Sequence, residues 1–147
     1  MRNVVMVLWG VVILVCVCTV NFQQLLDHGT MVFQLNKHPN LSDYLIVNDI
    51  KLHSRIYVTQ KIGHFSCFFV FTLIATIGVR SKTAFRRGVL IAVGYAVFTE
   101  LLQPFFGRDG RIVDMFIDSA GIVLAATIVR LTGGVKRDSS RYGRMYY

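Results

Sequence analysis

Four long apolar runs divide the chain, and they constrain its fold more than any other feature of the sequence. They cover residues 4–20, 64–79, 88–106 and 112–129. Each is close to the length of about 20 residues that a helix needs to cross the hydrocarbon core of a bilayer. Hydrophobic residues make up 54% of the chain and charged residues 16%, against about 45–50% and 25% in soluble domains. The sequence therefore predicts an all-α membrane protein, a four-span transmembrane helical bundle forming one domain over residues 1–147.

Basic residues predict the orientation of these spans. The segment 80–87, RSKTAFRR, holds four basic residues and no acid, and the tail at 131–147 is also basic. Short flanks rich in Lys and Arg stay in the cytoplasm, so both termini are predicted to be cytoplasmic. The first run is predicted to be a retained span rather than a signal peptide, because no small-residue cleavage site follows it. Residues 21–63 then form a long outer loop.

The outer loop contains a pattern typical of strands. The stretch YLIVNDIKLH predicts two short strands around a turn at Asn48 and Asp49, which form a β-hairpin. Apolar and polar residues go on alternating from Ile50 to Val58, as in a ribbon with one apolar face. The alternative that the sequence leaves open is a short helix that Ser42 and Asp43 cap and that lies on the membrane.

The placement of charge and cysteine disfavours two classes of function. The net charge of +8 could attract nucleic acid, but ten of the sixteen basic residues flank apolar runs, as in membrane proteins. The cysteines Cys16, Cys18 and Cys67 lie inside apolar runs without a CxxC motif, which is typical of small hydrophobic residues. We therefore predict no metal, no other cofactor and no nucleic-acid partner.

Polar residues nevertheless recur at one depth of three predicted spans. A Lys-x-x-His pair opens the second span, Glu-x-x-Gln ends the third, two arginines lie in the short outer turn, and two acids one turn apart begin the fourth. At about 1.5 Å per residue, all of them reach the outer level of the membrane. These residues are Lys61, His64, Glu100, Gln103, Arg108, Arg111, Asp114 and Asp118. Carboxylates in hydrocarbon are costly, so we predict that the acids and bases pair inside the bundle.

The stretch 99–121, TELLQPFFGRDGRIVDMFIDSAG, together with the upstream Lys-x-x-His, resembles the signature of the VanZ-like family of small bacterial membrane proteins. That signature has Glu-x-x-Gln, a Gly-Arg pair, an Asp six residues after the Arg, an Asn four further on and a Gly three beyond. The resemblance covers about residues 60–131. Two positions depart from it, because Asp118 replaces the usual Asn and Phe68 stands where a Tyr often follows the His. The matching positions are Glu100, Gln103, Arg108, Asp114, Asp118 and Gly121, with Lys61 and His64 upstream.

The resemblance implies a multi-pass protein of the bacterial cell membrane with an accessory role in the envelope. The family is named for a protein linked to low-level resistance to the glycopeptide teicoplanin. A site that faces the outer leaflet fits both this role and the predicted topology.

Three functions agree with the polar residues. In the first, the basic residues bind the phosphate-bearing head group of a membrane lipid, such as a polyprenyl phosphate or a glycolipid, and the carboxylates orient it. In the second, His64 with Glu100 or Asp114 forms an acid–base pair that acts on a lipid-linked substrate. In the third, the polar network only fixes how the helices pack. The sequence leaves these three open, together with the oligomeric state.

Overall fold

The computed structural model describes residues 1–20, 22–45, 51, 53–108 and 110–133. Within these residues the regular structure is helical, and no strand is found there. The α-helices are α1 (Arg2–Cys18), α2 (Phe22–His28), α3 (Arg55–Thr76), α4 (Lys82–Leu102) and α5 (Ile112–Leu131), with short 3-10 helices at Leu41–Leu45 and Gln103–Phe106.

Three helices in the described part of the chain are long and apolar enough to cross a membrane. They are α3, α4 with the 3-10 turn that continues it, and α5. The helix α1 is apolar but shorter, with 17 residues. Outward-facing side chains are large and apolar, as Leu90 at 68% and Phe116 at 71% exposure illustrate. A surface of this kind suits lipid rather than water. The prediction of an all-α membrane protein is confirmed.

The helix α3 lies at the centre and packs against α1, α4 and α5. Glycines allow the backbones to approach closely, as is common between membrane helices. A Cβ atom at Gly121 in α5 would collide with the carbonyl oxygen of Phe65 in α3. A Cβ atom at Gly88 in α4 would lie 2.9 Å from the carbonyl oxygen of Ala75. Leucine-sized residues at either glycine would push these helices apart.

Short connections make α3, α4 and α5 antiparallel neighbours, so the bundle has two distinct ends. The polar end contains the start of α3, the end of α4 and the start of α5. The basic end contains the end of α3, the start of α4 and the end of α5. Its basic residues are Arg80, Lys82, Arg86, Arg87 and Arg130. The last turn of α1 lies at the polar end, where Arg108 donates a hydrogen bond to the carbonyl oxygen of Cys16 at 3.1 Å.

The second predicted span begins earlier than expected, at Arg55 rather than at residue 64. Ser54 caps α3, because its hydroxyl accepts a hydrogen bond from the backbone N–H of Tyr57 at 3.4 Å. The strand pattern predicted to continue to Val58 is therefore wrong from residue 55 onward. Packing of α3 against its neighbours overrides the local alternation. As a result, Lys61 and His64 lie in the second and third turns of α3 rather than at its start.

The predicted hairpin turn at Asn48 and Asp49 lies outside the described residues, as does the basic tail beyond residue 133. Near the alternative helix predicted at Ser42, the chain forms the 3-10 helix Leu41–Leu45. The side-chain oxygen of Asn40 accepts a hydrogen bond from the backbone N–H of Ser42 at 3.3 Å. The side chain that bonds the first turn is therefore Asn40.

Candidate functional site

A cluster of ionisable side chains is buried at the polar end, and three helices supply it. The helix α3 contributes Lys61 and His64, α4 contributes Glu100, and α5 contributes Asp114 and Asp118. Spacings of three and four residues place each pair on one helix face. Glu100 and Asp118 are fully buried at 0% exposure, and Asp114 is 3% exposed. Burial of this kind requires that these groups find partners inside the protein.

His64, Glu100 and Asp118 form the inner part of the cluster. The Nδ1 atom of His64 lies 3.1 Å from Oδ1 of Asp118 and 3.4 Å from Oε1 of Glu100. One atom from each of the three side chains lies within 4.8 Å of the other two. Among the described residues, Oδ2 of Asp118 is a buried oxygen without a hydrogen-bond partner. We call these three residues the inner triad.

Glu100 is held in place through both of its carboxylate oxygens. Gln103 donates a hydrogen bond from Nε2 to Oε1 at 2.6 Å. The backbone N–H of Arg111 donates to Oε2 at 3.2 Å. The Gln103 side chain lies one turn further along the same helix face, so the Glu-x-x-Gln spacing makes this contact possible. Glu100 is therefore oriented before any ligand arrives.

The end of α4 is also stabilised by Tyr44. Pro104 has no N–H, so the carbonyl group of Glu100 loses its helical donor. The hydroxyl of Tyr44 donates to the carbonyl oxygen of Leu101 at 2.9 Å and approaches that of Glu100 at 3.4 Å. Burial and the negative charge of Glu100 raise the pKa of Tyr44, which keeps this hydroxyl protonated. A Cβ atom at Gly110 would lie 2.8 Å from the Tyr44 ring, so this position requires glycine.

Lys61 and Asp114 form an ion pair that links α3 to α5. The Lys61 side chain is 15% exposed and that of Asp114 is 5% exposed, so the pair lies near the surface end of the cluster. The Lys61 ammonium also lies 4.6 Å from the ring centroid of Tyr57, one turn earlier on α3. The aromatic face and the carboxylate therefore hold the ammonium from two sides.

Two cavities lie beside Lys61 and share part of their lining. The first has a volume of about 290 Å³ and a mainly polar lining, which includes Lys51, Lys61, Arg108, Arg111 and Asp114. The second has a volume of about 270 Å³ and is apolar apart from Lys61; its lining residues are Tyr57, Val58, Lys61, Ile62, Phe65 and Ile117. Tyr57 and Lys61 line both cavities. We call them the polar cavity and the apolar groove.

Arg108 connects α1 to the polar cavity. Its guanidinium donates hydrogen bonds to the carbonyl oxygens of Cys16 at 3.1 Å and Thr19 at 3.4 Å. These carbonyls belong to the C-terminal end of α1, where a positive charge is stabilising. The same side chain lines the polar cavity. Arg108 therefore holds α1 against the site in addition to lining it.

The structure places all eight predicted residues at the polar end, but in two layers. The inner triad and Gln103 are buried together, whereas Lys61, Asp114, Arg108 and Arg111 line the polar cavity. Sequence reasoning missed Lys51, Tyr57 and Gln60, which line the same cavity. Tyr57 and Gln60 could have been found from their helical spacing to Lys61 and His64, had the start of α3 been predicted at Arg55. No local pattern marks Lys51 or Tyr44.

These observations define a multi-pass helical membrane protein with a buried polar cluster at one end of its bundle. The chain belongs to the VanZ/LLP1 family, whose match covers residues 4–133. It is 35% identical over 124 residues to the uncharacterized membrane protein YwnJ of Bacillus subtilis (strain 168), across 84% of this chain and 86% of that protein. No solved structure matches the chain. The predicted family and membrane location are confirmed, and the match also includes α1, outside the region that the sequence resemblance covered.

Proposed function

We propose that the protein binds the phosphate-bearing head group of a membrane lipid in the polar cavity, at the outer leaflet of a bacterial cell membrane. The observation that carries this proposal is the shared boundary of the two cavities. A basic cavity of about 290 Å³ adjoins an apolar groove of about 270 Å³, and both are lined by Tyr57 and Lys61. A lipid has the same division into a charged head and an apolar chain.

The chemistry of the polar cavity suits a phosphate. Among the residues that the structure describes, its lining includes Lys51, Lys61, Arg108 and Arg111, with Asp114 as the one acid. Arginine guanidinium groups can bind phosphate oxygens with two parallel hydrogen bonds, whereas lysine acts as a point charge. Asp114 can accept a hydrogen bond from a sugar hydroxyl on a glycolipid. A polyprenyl phosphate or a glycolipid is therefore the class of ligand that we expect.

The proposed orientation places the polar end outside the cell and the basic end in the cytoplasm. Five basic residues at the basic end, with Arg2 at the start of α1, follow the positive-inside rule. The 17 residues of α1 extend over about 26 Å, which supports the proposal that α1 is a fourth span and that both termini are cytoplasmic. A lipid carrier bound at the outer leaflet would link the protein to envelope synthesis and, through it, to the glycopeptide response that the family resemblance implies.

A second candidate function is acid–base catalysis on a lipid-linked substrate. The observation that favours it is the contact of His64 with Asp118 at 3.1 Å and with Glu100 at 3.4 Å. A histidine beside two carboxylates has the composition of a proton-transfer site. Because the inner triad is buried below the polar cavity, the substrate would have to reach it from the head-group position. Binding therefore comes first in either function.

The test is native mass spectrometry of the delipidated protein with undecaprenyl phosphate and, as the matched probe, undecaprenol. We expect the phosphate lipid to bind and undecaprenol to bind far more weakly. Arg111→Ala should weaken binding by roughly 10- to 150-fold, since one charge-assisted hydrogen bond contributes about 1.5–3 kcal/mol. Arg55→Ala is the control, because Arg55 is an exposed arginine at the same end and is not among the residues lining the cavity.

Equal binding of both lipids, or no effect of Arg111→Ala, would contradict the head-group proposal. The mass of the recovered lipid separates the two candidate functions in the same experiment. An unchanged mass supports binding alone, whereas a new mass that disappears in His64→Gln supports catalysis.

A further inference from the structure

We propose that the inner triad, His64, Glu100 and Asp118, binds one divalent metal ion of the Zn²⁺ or Mn²⁺ type. This inference concerns a different set of atoms from the polar cavity and does not depend on lipid binding. It departs from the sequence prediction of no metal, which rested on the absence of a local motif. The three side chains come from three helices, so no local sequence motif could predict that they form one site.

The charge of the buried cluster is the first argument. Lys61 is bonded to Asp114, which leaves two further carboxylates, Glu100 and Asp118, facing a single histidine. Even a protonated His64 would balance only one of them. Both carboxylates are 0% exposed, and an unbalanced charge at such depth is very costly. A proton held on one carboxyl, with His64 protonated, would balance this charge, and a divalent cation would balance both carboxylates with His64 in its neutral form.

The distances within the inner triad are the second argument. Ligand atoms about 2.0–2.1 Å from a tetrahedral zinc ion lie about 3.3–3.4 Å from each other. The Nδ1 atom of His64 lies 3.1 Å from the Asp118 oxygen and 3.4 Å from the Glu100 oxygen. Two of the three separations therefore match a ligand set, and the third pair of atoms lies within 4.8 Å. Binding would remove the proton that Nδ1 shares with Asp118 and replace it with the metal.

The third argument is the unsatisfied oxygen of Asp118. Within the described part of the chain, Oδ2 is buried and accepts no hydrogen bond. Such atoms are rare in folded proteins and call for an explanation. A metal ion that the Asp118 carboxylate binds through both of its oxygens, Oδ1 and Oδ2, would supply it.

The surroundings of the inner triad support the same interpretation. Gln103 and the backbone N–H of Arg111 fix the two oxygens of Glu100, as outer partners commonly orient metal ligands. A cavity of about 20 Å³ beside His64 is also lined by Gln60 and Arg108, and it has room for one water molecule. The rest of its lining is mainly apolar, so His64 is the member of the inner triad that borders this small space.

The donor set identifies the class of metal. One imidazole nitrogen and two carboxylate oxygens suit borderline cations such as Zn²⁺, Fe²⁺ and Mn²⁺. Mg²⁺ prefers a shell of oxygen atoms with several waters, so it should bind less tightly. Three protein ligands with one open position also have the composition of a catalytic zinc site.

The experiment measures metal content and affinity in the purified full chain, with any affinity tag removed. The protein in detergent is stripped with a chelator, loaded with Zn²⁺ or Mn²⁺, desalted and analysed by elemental mass spectrometry. We expect about one equivalent of Zn²⁺ per chain and a higher unfolding temperature with Zn²⁺ than without it. His64→Gln and Asp118→Asn should each weaken Zn²⁺ binding by at least about 100-fold, the upper range for loss of an outer-shell partner.

His53→Ala is the matched control, because it removes an exposed histidine outside the cluster and should leave Zn²⁺ binding unchanged. If either variant does not fold, the metal stoichiometry and unfolding temperature of the natural chain still show whether it binds the metal. The inference is wrong if the wild-type protein binds neither Zn²⁺ nor Mn²⁺ stoichiometrically. It is also wrong if the His64→Gln variant retains Zn²⁺. Retained binding of undecaprenyl phosphate alongside either result would show that only the metal inference has failed.

Discussion

The two ends of the bundle pack the same three helices with different chemistry. At the polar end, α3 meets α5 through the Lys61–Asp114 ion pair, and the inner triad joins α3, α4 and α5. At the basic end the helices meet through small and apolar side chains, where Ala75 of α3 lies against Gly88 of α4 and Ala125 of α5 is fully buried. The two ends belong to one continuous set of helices, so each serves as a reference for the other.

The difference shows that close packing of these helices does not require ionisable groups. Small residues give membrane helices close contact without the cost of desolvating a charge. A buried ion pair, by contrast, often stabilises a protein no better than apolar residues of similar volume. The charges at the polar end therefore need another explanation, and binding of a charged ligand or a metal supplies one. The following experiments test whether the two ends differ in this way.

The largest effect is expected at the Lys61–Asp114 ion pair. Lys61→Met alone or Asp114→Leu alone should destabilise the protein by about 3–5 kcal/mol, because each leaves the partner charge buried and unpaired. The double variant should be close to the wild-type protein in stability, because both charges are gone. Equilibrium unfolding in mixed detergent micelles measures all four proteins and gives the coupling between the two positions.

The double variant also separates packing from binding. If the pair is retained for ligand binding, the double variant should fold and should lose binding of undecaprenyl phosphate. A double variant as unstable as the two single variants added together would mean that the polar end needs its charges for packing. In that case the contrast between the two ends would be wrong.

A smaller effect is expected from the glycines that bring the helices together. Gly121→Ala should destabilise the protein by about 1–3 kcal/mol, because the added methyl group meets the α3 backbone at Phe65. Gly88→Ala at the basic end should have a similar but smaller effect, since its nearest atom lies 2.9 Å away. Gly94→Ala is the control, because nothing lies within 4 Å of its added Cβ atom.

Thermal unfolding in detergent ranks the three glycine variants. Helix propensity alone favours alanine by about 0.8–1.0 kcal/mol, so Gly94→Ala should be neutral or stabilising. Equal stability of all three variants would mean that backbone contact does not set the spacing of the helices at either end.

Much of the fold could be predicted from the apolar runs. Residues 112–129 correspond closely to α5, and residues 88–106 end with α4 and its 3-10 turn but begin six residues after the helix does at Lys82. Bilayer thickness fixes how long such helices must be. The start of α3 could not be predicted in this way. Residues 55–58 continue the strand-like alternation and residues 59–61 are polar, yet the cap at Ser54 and the contact of Lys61 with Asp114 of α5 favour a helix. Tertiary contacts determine the secondary structure of such a segment.

Part of the candidate site could also be predicted from the sequence. Helical spacing placed Glu100 with Gln103 and Asp114 with Asp118 on common faces, and their cost in lipid indicated that they face inward. The sequence could not predict which acid pairs with which base across helices, because this depends on how each helix is rotated about its axis. The sequence therefore offered Lys61, Arg108 and Arg111 as partners for any of the acids. The structure pairs Lys61 with Asp114 and leaves His64 with the remaining two acids.

The smallest effects concern single hydroxyl groups, one at each end. Tyr44→Phe should destabilise the protein by about 1 kcal/mol, because the Leu101 carbonyl loses a hydrogen bond and the Glu100 carbonyl loses the donor that compensates for Pro104. Thr76→Val at the basic end should change stability by no more than about 0.6 kcal/mol. The Thr76 hydroxyl donates to a carbonyl of its own helix at 2.6 Å, and the substitution preserves its shape. Equilibrium unfolding of both variants measures the difference, and a larger loss for Thr76→Val would show that polar contacts hold the basic end as well.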